Sequence, residues 1–316
     1  MRRALVVGIN DYSWSPLKGC INDANVIGDA LKEHYDGKPN FHVKRLTSDK
    51  YNITKAQLFR SIKDLFARPA DIIIMFFSGH GANGDLGGYL VTQDGEKYSL
   101  GVSLNEIVEL ANMATQINEI IIILDTCYSG VTGNINPMNK NIASIREGVS
   151  ILASSTQDES SVEKNGQGLF TSIILEAING GGADVMGQVT VAGLYNYADK
   201  VLGPWQQRPV FKSHVTELSV LKSGTPQISF PQLRLLAKYF PKSDFELQLD
   251  PGFEPELEPK NKEKEAIFAI LQKFRDCNML KPIGEKHLYH AAKNSKACGL
   301  TDLGKLYWRM ITTNQV

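Results

Sequence analysis

Two uninterrupted apolar runs constrain this chain more than any other feature. Asp71-Ile72-Ile73-Ile74-Met75-Phe76-Phe77 leads into Ser78-Gly79-His80-Gly81, and Ile120-Ile121-Ile122-Ile123-Leu124 leads into Asp125-Thr126-Cys127-Tyr128-Ser129-Gly130. Runs of this kind, bounded by polar turns, read as strands buried on both faces of a parallel sheet. In open α/β sheets the reactive crevice lies outside the carboxyl ends of the strands. Each run therefore delivers one reactive side chain to the same rim: the imidazole of His80 and, 47 residues later, the thiol of Cys127. A thiol beside an imidazole is the constellation of a cysteine nucleophile with its general base.

The flanking chain alternates strands with helices. Arg3 to Asn10 reads as a first strand, and Gly19 to Glu33 has helical apolar spacing. His42 to Leu46 is a short strand, followed by an amphipathic helix from Thr54 to Phe66 with Thr54 as its cap. After the His80 strand, a loop with Gly81, Gly84, Gly87 and Gly88 leads to Tyr89-Leu90-Val91, a short strand or hairpin. Ser103, with Glu106 three residues on, opens a helix to Asn112 through a capping box. Val131 to Glu147 is polar and loop-like, Val149 to Ala153 is another buried strand, and Gly168–Asn179 and Thr190–Val201 are helices. Pro209 places the last strand, Arg208 to Phe211, at an edge. This order predicts an α/β three-layer sandwich with a mostly parallel central sheet over residues 1–221.

The rhythm then breaks. Residues 222–262 hold six prolines among acidic residues and read as a linker with one short helix, Leu233 to Tyr239. Residues 263–316 read as a small, mainly helical domain, for which a winged helix is one arrangement. Charge divides along the same line. Residues 1–221 carry 19 Lys+Arg against 23 Asp+Glu, and residues 222–316 carry 15 against 11, so the chain's zero net charge is the sum of −4 and +4. Such asymmetry points to two modules with different partners.

The short apolar run at the N-terminus suits a first strand rather than a signal peptide, and no run approaches the roughly 18 apolar residues of a membrane span. Cys20, Cys127, Cys277 and Cys298 are too widely spaced for a disulfide framework, so the expected location is the reducing cytoplasm.

The two rim motifs, with a histidine about 50 residues before the cysteine, resemble those of the caspase–metacaspase peptidase clan. Gly19-Cys20-Ile21-Asn22-Asp23-Ala24, Ala153-Ser154-Ser155 and Gly168-Leu169-Phe170-Thr171 resemble its bacterial metacaspase-like branch, so the likeness spans roughly residues 3–215. The resemblance implies a cysteine endopeptidase with Cys127 as nucleophile and His80 as its base and acid. It also implies the peptide N–H groups of Gly81 and Cys127 as oxyanion donors. The Val131–Glu147 loop stands where clan members are often processed, with Lys140 and Arg146 as the self-cleavage positions it offers.

Residues two apart in an extended segment face the same way. Asp125 should therefore point where Cys127 points, and Ser78 where His80 points. A carboxylate beside a thiolate raises the thiol pKa, an arrangement that makes sense if a cation is expected there. The resemblance implies that Asp125 and Asp23 line a pocket for a basic side chain, with Ser78 beside them. Caspases carry a glutamine where Asp125 stands and a pocket arginine where Glu163 aligns, so the charge logic here is inverted and the cut is expected after Arg or Lys. For Asp23, the competing reading is a favourable charge at a helix N-terminus.

No cofactor is firmly implied. The stretch 182–188 resembles a family loop that often carries several acidic residues, but only Asp184 remains, and calcium takes six or more oxygens. Cys277, His287, His290 and Cys298 match none of the usual zinc spacings and read as core cysteines with nearby histidines. The tail around Lys281, Lys286, Tyr289, Lys293, Lys296, Tyr307, Trp308 and Arg309 is basic and aromatic. It admits nucleic acid, a nucleotide-like activating signal, a partner protein, or no ligand beyond water. The resemblance favours a sensor, as in regulated bacterial effectors of signalling or antiphage defence. The rivals are a catalytically idle scaffold and a DNA-binding regulator.

Overall fold

The computed structural model describes residues 1–84, 87–96, 99–127, 144–154, 166–202 and 209–315. The chain divides into two compact units, one of residues 1–184 and 188–224, the other of residues 185–187 and 225–316.

In the first unit the elements run β1 (Arg2–Gly8), α1 (Cys20–Lys32), β2 (His42–Thr47), α2 (Lys55–Phe66), β3 (Ala70–Gly84), β4 (Gly87–Glu96), β5 (Ser99–Ser103), α3 (Leu104–Met113), β6 (Ile117–Cys127), β7 (Val149–Ala153), α4 (Leu169–Glu176), β8 (Gln188–Val189), α5 (Val191–Leu202), β9 (Val210–His214) and β10 (Lys222–Ser223). The main sheet has the order β2-β1-β3-β6-β7-β9, parallel except for β9, which runs antiparallel to β7 at the edge. Alternation along β3 sorts the core. Ile73, Met75 and Phe77 pack with α2 and α3, whereas Ile72, Ile74 and Phe76 pack with α1, α4 and α5. This is the three-layer sandwich that the strand–helix order predicts.

One local difference concerns the glycine-rich stretch after His80. It is not a loop. β3 continues through His80 to Gly84 and folds back as β4, with Gly81 opposite Leu90 and Gly84 opposite Gly87. Glycines with small neighbours allow the extra strand length, and β5 completes an antiparallel arm with Gly101 at φ +150° against the Leu90 carbonyl.

The second unit contains α6 (Phe230–Tyr239), β11 (Leu247–Gln248), α7 (Lys262–Asp276), β12 (Leu280–Ile283), α8 (Leu288–Lys293), β13 (Ala297–Leu300) and α9 (Asp302–Thr312). Its strands form an antiparallel sheet in the order β11-β13-β12, so strands accompany the expected helices. The expected linker over 222–262 is a correction. Ile228, Leu233, Leu236, Phe240, Leu249 and Phe253 are buried in the same cluster as Phe268, Leu271, Phe274 and Leu288. Two of its prolines sit where a missing N–H costs nothing, Pro231 in the first turn of α6 and Pro251 opening a single 3-10 turn. The Trp308 indole N–H also donates to the Phe240 carbonyl at 2.6 Å. The unit boundary thus lies between Gly224 and Thr225, not at residue 262.

That boundary predicts fragment behaviour. Residues 225–316 expressed alone should give a cooperative thermal transition and dispersed amide resonances. Residues 263–316 lack a third of the buried apolar cluster and should give neither. A folded 263–316 fragment would restore the linker reading.

Candidate active site

The β3–β6 pairing builds the site. The two strands run parallel in continuous register from Ile72 opposite Glu119 to His80 opposite Cys127. Two residues of different sequence origin thus become direct cross-strand neighbours, with backbones about 4.8 Å apart. β1 and β7 leave the sheet before that point, the former pairing as far as Ser78 and the latter as far as Leu124. The central pair therefore projects beyond β1 and β7 at the carboxyl rim.

His80 is half-buried and held on several sides. Its Nε2 lies 2.7 Å from the Ser15 carbonyl, which can only accept, so Nε2 carries the proton and Nδ1 is the basic nitrogen of the neutral ring. The Trp14 indole stacks on the imidazole at 4.6 Å and 25°, and the Tyr12 ring meets it at 4.6 Å and 56°. The His80 backbone N–H donates to the Tyr12 hydroxyl at 3.1 Å. Burial pushes the His80 pKa below its ordinary value, and the Ser15 carbonyl, which favours the charged ring, offsets only part of that. A neutral imidazole near neutral pH can take a proton from a thiol.

On the face shared with α1 and α4, three expected residues converge. Asp23 of α1 is buried at 2% exposure, with Oδ2 accepting from the Ser78 hydroxyl at 2.8 Å and Oδ1 from the Gly168 N–H at 3.1 Å. Asp125 Oδ2 accepts from the Thr171 N–H at 3.1 Å and from its hydroxyl at 2.6 Å. α4 has no side-chain cap of its own, with Gly168 at its N-cap position. The two carboxylates, delivered from a helix and a strand far away in sequence, take over that role at the positive end of α4. Burial pushes the Asp125 pKa up, and the Thr171 hydroxyl and N–H pull against it.

Gly168 sets the space between the two acids. A Cβ there would lie 2.5 Å from Asp125 Oδ2 and 3.2 Å from Asp23 Oδ2. Its φ of −65° is open to any residue, so room rather than backbone conformation demands glycine.

Other expected residues fall elsewhere. Arg146 is half-buried, its guanidinium donating to the carbonyls of Ala111, Ala114, Ile117 and Glu147, so it ties the end of α3 to the start of β6. Its side chain is thus engaged by main-chain carbonyls. Lys140 and Glu163 lie outside the described residues. Asp184 accepts from the Gln188 N–H at 2.8 Å. Cys277 and Cys298 are core residues of the second unit, and burial pushes the Cys298 thiol up to about 12. His287 and His290 are exposed, and among the described residues no group of three His, Cys, Asp or Glu is placed to hold a metal ion.

Tyr12, Trp14, Ser15 and Thr171 were not legible as site residues. Three of them stand in the loop after β1, where no periodicity marks a role. The one signal available was an aromatic pair directly beyond a strand end at the rim, Tyr12-Ser13-Trp14.

Comparison with known proteins places the chain. The caspase-domain model of the C14 peptidases matches residues 1–219. The chain belongs to the caspase-domain family of cysteine peptidases. A solved protein of Geobacter sulfurreducens, GSU0716, shares 16% identity with it at a TM-score of 0.53, covering 71% of this chain and 97% of that one. Caspase-1 of Spodoptera frugiperda shares 14% identity at a TM-score of 0.51, covering 72% and 92%. Both likenesses show a shared fold. No curated protein matches. Among the described residues of this caspase-family chain, no helix is long and apolar enough to cross a membrane.

The role of Gly168 as spacer predicts that Gly168→Ala destabilises the fold by about 1–3 kcal/mol, the range for overpacking a filled interior. Urea denaturation measures this. An unchanged midpoint would mean that the two carboxylates move apart freely.

Proposed function

We propose that this caspase-family chain is a cysteine endopeptidase that cuts proteins after Arg or Lys, with His80 and Cys127 as its dyad. The observation that carries the proposal is the pair of buried carboxylates, Asp23 and Asp125, beside the cross-strand pair of His80 and Cys127. A desolvated acidic pocket next to a nucleophile disfavours the thiolate and favours a cationic guest. An Arg or Lys side chain reverses that balance by pairing with the acids.

In the reaction, His80 Nδ1 takes the Cys127 thiol proton and the thiolate attacks the scissile carbonyl carbon. The carbonyl π electrons move to oxygen, where the N–H groups of Gly81 and Cys127 are the proposed donors, each contributing roughly 3 kcal/mol. Collapse re-forms the carbonyl and breaks the C–N bond as the His80 imidazolium protonates the leaving amine. Water, deprotonated by His80, then hydrolyses the thioester and returns the thiol. Ser15 keeps the ring in the tautomer that this sequence uses.

The motifs quoted above align the chain with the metacaspase-like branch rather than with Asp-directed caspases. Ser78, bonded to Asp23, belongs to the same pocket wall, and Glu163 is assigned to it by alignment alone. Lys140 and Arg146 are the self-cleavage positions in this reading. The charge split between residues 1–221 and 222–316 supports a separate role for the second unit. We assign it to sensing a nucleotide-like signal or a protein partner in a cytoplasmic effector of signalling or antiphage defence.

Two outcomes are expected. Against a fluorogenic panel, Arg and Lys substrates should be cleaved and Asp substrates refused, with activity lost in Cys127→Ala. A preference for Asp would overturn the pocket. The acid limb of kcat/KM should have its midpoint below about 6.5, the ordinary histidine value, because burial keeps the base neutral to lower pH.

Asp125→Asn separates binding from stability. The folded-state pKa of Asp125 is raised, so its stabilising contribution belongs to the neutral form. That contribution is present below the ordinary carboxyl value and is lost as pH rises through the raised one. At neutral pH the amide should therefore give a Tm no lower than wild type, with the difference closing as pH falls below about 4. Its kcat/KM for Arg substrates should drop about 100-fold, the scale of removing one partner from a buried charge pair. A variant that loses Tm but keeps Arg cleavage would make Asp125 a structural cap only.

A further inference from the structure

The two strands that carry His80 and Cys127 extend past their outer neighbours, and this creates a hydrogen-bonding problem on each side. On the β1 side, the Ile9 N–H donates to the Ser78 carbonyl at 3.1 Å. In a regular parallel ladder the next bond would run from the His80 N–H to the Ile9 carbonyl. The chain turns away instead, and the His80 N–H donates to the Tyr12 hydroxyl at 3.1 Å. On the β7 side, the Ser154 N–H donates to the Leu124 carbonyl at 2.9 Å. The next regular bond would run from the Thr126 N–H to the Ser154 carbonyl. Here the Thr126 N–H donates to the Ser154 hydroxyl at 3.1 Å, and that hydroxyl donates back to the Thr126 carbonyl at 3.1 Å.

The same substitution thus occurs on both flanks. A side-chain hydroxyl stands in for a main-chain carbonyl at the register step where the outer strand leaves. Both hydroxyl-bearing residues are buried, Tyr12 at 3% and Ser154 at 5% exposure. Tyr12 also completes a second junction. Gly81 stands opposite Leu90 in the β3–β4 pairing, so Val91 is the next residue opposite His80, and the Tyr12 hydroxyl donates to the Val91 carbonyl at 3.1 Å. The phenol oxygen therefore bridges His80 to β4 where β4 takes over the edge that β1 gives up. Gly79 makes room for it, since a Cβ at that position would lie 2.6 Å from the hydroxyl. The small residue of the Ser78-Gly79-His80-Gly81 motif is explained by the phenol it accommodates.

We infer that Tyr12 and Ser154 are positioning residues. Their hydroxyls complete the backbone ladders on either side of the reactive pair and fix the peptides of His80 and of Thr126, which precedes Cys127. An unmet buried N–H at either place would let the strand end shift or recruit water, and a small misplacement of reacting groups costs rate steeply. The hydroxyls let β1 and β7 diverge without loosening the two strands between them. This inference rests on the His80–Cys127 dyad proposed above but not on the choice of Arg or Lys.

The test compares the full-length wild type with Tyr12→Phe, Ser154→Ala and Ser154→Thr. One readout is kcat and KM on an arginyl peptide. The other is the pH dependence of Cys127 alkylation by iodoacetamide, followed by mass spectrometry, which reports the dyad without a peptide substrate. Tyr12→Phe and Ser154→Ala should each lower kcat roughly 10-fold or more with KM within about twofold. Each should also displace the acid limb of alkylation, and Ser154→Thr, which keeps the hydroxyl, should recover most of the loss. Circular dichroism and Tm identify a variant that has merely unfolded, and for such a variant the alkylation limb is read below its transition temperature.

Variants with wild-type kcat and an unmoved limb would overturn the inference, as would losses confined to KM. A displaced limb in an enzyme that cleaves no Arg or Lys peptide would uphold it while sinking the specificity proposal. If wild-type Cys127 alkylates with the pH profile of an isolated thiol, the dyad fails and this inference fails with it.

Discussion

Everything at the rim depends on one register, the parallel pairing of β3 with β6 that sets His80 opposite Cys127. Because side chains alternate along a strand, a slip of one residue would break the pairing of residues 80 and 127 and send a strand's whole apolar set to the opposite face. The apolar runs guard against this. Ile72, Ile74 and Phe76 pack with one set of helices while Ile73, Met75 and Phe77 pack with the other, so a shifted strand would mismatch both layers at once. The packing that stabilises the sheet also sets residue 80 opposite residue 127.

The same face logic explains the paired carboxylates. Ser78 and Asp125 stand opposite each other in the β3–β6 register and share the face on which α1 and α4 supply Asp23, Gly168 and Thr171. Asp125 serves two ends that pull in different directions. As a cap for α4 it benefits from the helix N-terminus, yet its burial disfavours the charge it would offer a basic substrate.

Much of this was legible in the chain because it follows from periodicity. The long Ile and Phe runs mark central strands, the strand period predicts which acids share a face, and a capping box marks α3 at Ser103 and Glu106. What was not legible comes from loops and tertiary partners. Tyr12 and Ser15 act on His80 from a segment with no pattern, and Thr171 meets Asp125 only because α4 begins there. Proline density over residues 222–262 reads as a linker, but Pro231 and Pro251 occupy positions that tolerate the missing donor, and the apolar residues between the prolines decide the outcome. Arg146 looks like an exposed basic residue in a polar loop, and its carbonyl partners appear only once α3 and β6 are assembled.

The pairing of β3 with β6 also has a kinetic side. Parallel strands cannot be joined by a tight turn, so His80 and Cys127 meet only after the intervening arm and α3 have formed and crossed over. Contacts of such sequence separation close late and slowly compared with local ones. In a partly folded chain residues 80 and 127 are therefore not yet neighbours, and they become so only with the long-range contacts of the sheet.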